Sequence, residues 1–100
     1  MDMPKTIKVG PHTYSVLRKT KFQMPEQIGG CDFDALQLSI RQRIKKSVAQ
    51  ETLLHELIHA CTSPSFNEKT MTDEEFVTAV SPMLLQVLKE NPELVEYLTK

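Results

Sequence analysis

His55 and His59 stand four residues apart, with Glu56 directly after the first, in the run His55-Glu56-Leu57-Ile58-His59. On an α-helix, residues four apart share one face, a turn above each other, so both imidazoles can point at a common ion. Zinc takes histidine nitrogens at about 2.0–2.1 Å, a reach that two side chains one turn apart can meet. Glu56 lies about 100° round the helix from His55. From there its carboxylate can take a proton from a water polarised by the metal without filling the coordination shell. That division of labour suits hydrolysis of a peptide bond. The expectation is Zn2+ on His55 and His59, with Glu56 as the catalytic general base.

A catalytic zinc usually keeps three protein ligands and one water. His12 is the remaining histidine, and Ala60-Cys61-Thr62-Ser63 offers neither the glycine nor the third histidine of the metzincin pattern. A carboxylate is therefore expected as the third ligand, and Asp73, Glu74 and Glu75 follow downstream. Thr72 and Glu75 have the spacing of a capping box, which would engage Glu75, and Asp73 has the shorter side chain. Glu74 is the first choice, with Glu75 and Asp73 as alternatives, and at least two of the three serve the positive end of a helix dipole. His12, Tyr14 and Tyr97 have the chemistry to stabilise an oxyanion, with no positional argument for any of them.

The elements that must position these groups follow from periodicity. Thr6 to Val9 and Thr13 to Arg18 read as strands of a hairpin around Gly10-Pro11, and Ile28 to Phe33 as a third short strand. In Leu36-Gln37-Leu38-Ser39-Ile40 the apolar residues alternate, which predicts a strand with one buried face. From Ser47 to Cys61 the apolar positions Val48, Leu53, Leu54, Leu57, Ile58 and Cys61 recur every three or four residues and predict an amphipathic helix carrying the histidines. A second helix opens at the Thr72 capping box, with a kink or break expected at Pro82. Pro92 to Leu98 can form a third. The expected class is α+β: one domain over residues 1–100, with a small antiparallel sheet of three to four strands ahead of the motif helix and one or two C-terminal helices.

One hundred residues with 40% hydrophobic and 25% charged content suit one small globular domain. The net charge of −1 gives no case for nucleic acid or an acidic membrane as partner. Arg41-Gln42-Arg43-Ile44-Lys45-Lys46 is basic, but with no aromatic interleaved it reads as a solvated lead-in to the motif helix. No apolar run of about 18 residues is present to span a bilayer, and Met1 to Lys5 lacks the apolar core of a secretory signal. Two cysteines, Cys31 and Cys61, make no disulfide framework. They are expected as reduced thiols in a cytoplasm, each a small buried apolar residue.

The run from Gln50 to Ala60, QETLLHELIHA, resembles the motif helix of small phage and prophage zincin-like metallopeptidases, distant relatives of the ImmA/IrrE-type enzymes. The likeness continues weakly through Gly30-Cys31-Asp32, Asp73 to Val77, Leu84 to Leu88 and Asn91 to Leu94. It implies a zincin-like fold, His55 and His59 as ligands, Glu56 as base, and Glu74 or Glu75 as third ligand. It further implies a phage or prophage product working in the cytoplasm of a bacterial host cell. Residues and resemblance together predict a zinc-dependent peptidase. Its substrate, a peptide or protein, is expected to lie extended along an edge strand, placed at Leu36, Gln37, Leu38 and Ser39. The alternative is a non-catalytic zinc-stabilised protein-binding module, which gains if Cys31 or Cys61 completes the shell.

Overall fold

Gly10-Pro11 makes a two-residue turn between β1 (Thr6–Val9) and β2 (His12–Lys19), which pair antiparallel with Val9 opposite His12. Gly10 has a φ of 57°. A type II′ hairpin turn needs that positive φ at its first central residue, and glycine adopts it without steric cost. A second hairpin joins β3 (Gly29–Asp32) to β4 (Gln37–Arg41). Asp32 closes its turn: Oδ1 accepts from the backbone N–H groups of Asp34 and Ala35, both at 3.0 Å. Leu36 ends that turn with a φ of 55°, so the strand begins one residue later than its alternation suggests.

The structure is a computed structural model that describes residues 2–62 and 72–100, apart from the side chain of Asp73. The four strands lie in the order β1-β2-β4-β3. The chain leaves β2, passes one strand width beyond it, returns as β3, and fills the gap with β4. β4 therefore runs parallel to β2, and the sheet is mixed where local hairpins alone would make it antiparallel. As an interior strand, β4 buries Leu38, Ser39 and Ile40 in succession. Ser39 points away from the core face, on the side where Met24 lies over Gly30, its cross-strand partner.

Three helices follow: α1 (Lys46–Thr62), α2 (Asp73–Glu90) and α3 (Pro92–Thr99). α1 buries Ala49, Thr52, Leu53, Glu56, Leu57, Ala60 and Cys61, a stripe at helical spacing. Its fully buried leucines, Leu53 and Leu57, share the core with Ile7, Leu38 and Ile40 of the sheet. Val48 and Leu54, expected on that face, are each 38% exposed. Thr72 and Glu75 form the expected capping box at the start of α2. The helix runs unbroken through Pro82, which lies on its exposed side, where water can meet the carbonyl that a proline leaves unbonded.

The end of α2 ties down the outer edge of β1. Gln86 Oε1 accepts from the Gly10 N–H at 2.8 Å, and Asn91 Oδ1 accepts from the Lys8 N–H at 2.9 Å. Asn91 Nδ2 in turn donates to the Lys8 carbonyl at 3.0 Å and to the Val87 carbonyl at 2.8 Å. α3 docks Leu94 and Tyr97 into the core, and Gln50 Nε2 of α1 donates to the Tyr97 carbonyl at 2.8 Å. No helix among the described residues is long and apolar enough to cross a membrane.

Candidate metal centre

α1 passes under the sheet on the side of β3 and β4 and presents the motif beside β3. His55, Glu56 and His59 each bring a ligand atom into one group, with all three atoms within 4.8 Å of one another. His55 Nε2 is 4.0 Å from Glu56 Oε2, and the two imidazole centroids are 4.9 Å apart. Ligand atoms sharing a tetrahedral zinc at about 2.1 Å stand roughly 3.4 Å apart, so small side-chain rotations suffice to close on one ion. Two imidazoles are donors that zinc prefers, and the Glu56 carboxylate stands close enough to act as a base beside them. The residues fit the metal.

Burial does not force this grouping. A strongly apolar helix suggests that both histidines are enclosed and need a partner, yet the His55 side chain is 66% exposed. Glu56 is the enclosed member, its side chain only 10% exposed. The carboxylate of the triad is held against the protein while the first imidazole opens to solvent.

Gly29 is what lets Glu56 lie there. A Cβ at that position would stand 2.6 Å from Thr52 Cγ2 and 2.9 Å from Glu56 Oε2, closer than real Cβ contacts come. Thr52 cannot easily turn its methyl aside, because its hydroxyl donates to the Val48 carbonyl at 2.7 Å. The missing side chain thus sets the approach of helix to strand.

A cleft of about 460 Å³ opens between β3 and α1, with Gln27, Cys31 and Phe33 lining it beside the three motif residues. Burial, then the Glu56 carboxylate, then that of Asp32, push the Cys31 thiol up to about 11. Burial also pushes Cys61 up to about 11, so both thiols stay protonated at neutral pH. Gln27, Gly29 and Phe33 were not marked by the sequence as site residues, because only the strand order brings them to the motif.

The backbone edge beside the cleft belongs to β3. The Arg41 N–H donates to the Ile28 carbonyl at 2.9 Å, which makes these directly opposed residues a hydrogen-bonded pair. By antiparallel alternation Gly30 and Asp32 also bond inward, and the N–H and C=O groups of Gly29 and Cys31 face away from β4. Among the described residues nothing pairs with that edge.

One sequence expectation is corrected here. Leu36, Gln37, Leu38 and Ser39 cannot be the substrate strand: Gln37 to Ser39 lie in β4, whose backbone is paired with β2 on one side and β3 on the other. Leu36 is in the turn, and its carbonyl accepts from the Ser15 N–H at 2.9 Å. Glu74 and Glu75, expected as third-ligand candidates, are not members of the group that His55, Glu56 and His59 form. Both are exposed on the first turn of α2, and the Glu75 carboxylate accepts from the Thr72 N–H in the capping box. The side chain of Asp73 lies outside the described residues. His12, Tyr14 and Tyr97 are absent from the cleft lining; the two tyrosines are core residues and His12 sits at the β1–β2 turn. No family model, curated protein or solved structure matches this chain, so the functional argument rests on the residues and geometry of the site itself.

Proposed function

We propose that this chain is a zinc-dependent peptidase of the small phage and prophage zincin-like kind that its motif helix resembles, acting in the cytoplasm of a bacterial host. The observation that carries the proposal is the His55–Glu56–His59 group in a cleft beside an open strand edge. His55 and His59 would hold the ion through imidazole nitrogens. Zinc, when bound, supplies the Lewis acidity that activates water and polarises a carbonyl. Glu56, fixed against Gly29, accepts the proton released by the attacking water and returns it to the leaving amine. An extended peptide would add to the sheet at β3, exchanging hydrogen bonds with the outward N–H and C=O groups of Gly29 and Cys31. Phe33 offers an apolar wall for a substrate side chain. The third ligand is proposed from Glu74, then Glu75 or Asp73, and zinc affinity of the three alanine variants assigns it.

The test is metal content together with cleavage of a peptide library read by mass spectrometry. Glu56→Gln is expected to retain zinc and to lose at least about 100-fold in rate. His55→Ala is expected to lose the metal. Cleavage by Glu56→Gln at the wild-type rate, or undiminished cleavage after chelation, overturns the assignment.

One observation favours a second reading. Cys31 lines the same cleft as both histidines, and a thiolate there would close the shell as in structural zinc sites. The chain would then be a non-catalytic zinc-stabilised protein-binding module. Sulfur scattering in the zinc X-ray absorption spectrum, with Cys31→Ser weakening zinc binding and no library peptide cut, would establish it.

A further inference from the structure

The parallel pairing of β2 with β4 places Lys19 beside Arg41 and brings the two segments that follow these strands to one end of the sheet. Arg18, Lys19 and Lys21 come from the end of β2 and the residues after it, and Arg41, Arg43, Lys45 and Lys46 from the end of β4 and the residues after it, seven of the chain's 12 basic side chains. No acidic residue occurs from Arg18 to Pro25 or from Ala35 to Gln50. Lys21, Arg41, Arg43 and Lys45 make no ion pair among the described residues. α1 begins at Lys46 with no acid in its first turn, so the positive end of its dipole adds to the cations, although Lys46 Nζ itself donates to the Lys100 oxygen at 2.9 Å. Arg43 also holds a φ of 59°, a conformation that costs a non-glycine residue energy.

Between these segments lies a cleft of about 550 Å³, lined by Thr20, Lys21, Phe22, Arg41, Gln42, Arg43 and Ile44. Phe22 is 94% exposed at its rim. The turn that displays it is braced: the N–H groups of Gln23 and Met24 donate to the Thr20 carbonyl, and Thr20 and Gln23 exchange side-chain hydrogen bonds. An aromatic face, a planar guanidinium and a side-chain amide thus surround a concave cationic site with no carboxylate paired to it among the described residues. The sequence argued against a nucleic-acid partner on its net charge of −1 and because no aromatic is interleaved in Arg41 to Lys46. The fold supplies one from a different segment.

We propose that this end of the molecule binds single-stranded nucleic acid, with phosphates on Lys21, Arg43 and Lys45 and a base stacked on Phe22. Stacking on aromatics along a cationic groove is the general mode by which proteins hold unpaired strands. A membrane surface fits less well, because Phe22 is the one fully exposed apolar side chain at this cleft, and Ile44 is half-buried in it. The inference is independent of the metal centre.

Fluorescence anisotropy with a labelled thymidine strand of about 12 residues, in low salt, tests it on the whole chain. The wild type is expected to bind that strand more tightly than a duplex of equal length. Phe22→Ala should weaken binding about 5-fold or more. Lys21→Glu, Arg43→Glu and Lys45→Glu combined should weaken it further and lower the salt dependence by about two in log-log slope. All four positions are exposed, and an unchanged far-UV spectrum and Tm would show that the variants fold. Absence of strand binding, equal binding by Phe22→Ala, equal affinity for duplex, or preference for phosphatidylserine vesicles over the strand would each overturn the proposal.

Discussion

The two edges of the sheet are finished in opposite ways. Along β1 the outward backbone groups of Lys8 and the N–H of Gly10 are taken up by Asn91 and Gln86 from the end of α2. Along β3 the outward groups of Gly29 and Cys31 meet no partner among the described residues, and the His55–Glu56–His59 group lies directly beside them. An exposed edge invites pairing with other chains, and proteins usually cover it. Here one edge is covered by side chains that reach back over it, and the other is left open where a peptide would need to be held. The contrast supports the proposal that β3 is the docking strand, because strand addition needs both a free ladder and chemistry within reach of it.

The largest expected effect comes from spoiling the open edge from within. Gly29→Ala forces a methyl group into Thr52 and Glu56, and Thr52 is pinned by its bond to Val48. Helix and strand must separate, which should cost about 1–3 kcal/mol of stability by urea unfolding. Displacing Glu56 by even 1 Å should lower the rate of the proposed cleavage by roughly 100-fold. A Gly29→Ala chain with wild-type stability and rate would show that the close approach does not position the carboxylate.

The covered edge should give a smaller effect, confined to stability. Asn91→Ala removes the partners of the Lys8 N–H and C=O at a site open to solvent. A net loss of about 1 kcal/mol is expected, with the rate per folded molecule unchanged within about 2-fold. If Asn91→Ala reduced turnover as severely as Gly29→Ala, the two edges would not be functionally distinct.

How much of this was readable in the sequence depends on whether the interaction is local. The motif helix, the capping box at Thr72 and the Gly10-Pro11 turn rest on contacts within a few residues, and their positions agree with the structure to within a residue or two. Pairing partners are non-local. The alternation of Leu36, Leu38 and Ile40 reports which side of a strand is buried but not which strands flank it, so the interior β4 was mistaken for an edge. The same non-locality hid the cleft role of Gly29 and the meeting of Phe22 with Arg41 and Arg43. Glu75 shows a local interaction prevailing, since its carboxylate reaches the Thr72 N–H in the capping box, as its spacing predicted.

The smallest expected effect is at the next residue of the open edge, and it separates contact from conformation. Gly30 points to the face opposite α1, and a Cβ there would meet only the Met24 methyl at 3.8 Å, an ordinary contact. It does not have the positive φ that only Gly10 shows among the glycines. Gly30→Ala therefore introduces no clash and removes conformational freedom from the unfolded chain. Stability should stay level or rise by about 0.4–1 kcal/mol. The inward hydrogen bonds of Gly30 to Ser39 and the outward groups of its neighbours are left as they were, so cleavage should be unaffected. If Gly30→Ala instead destabilised the protein as much as Gly29→Ala, the sensitivity would belong to the strand's backbone rather than to the surface Gly29 shares with Thr52 and Glu56. The close packing of α1 would then lose its place in the account of the site.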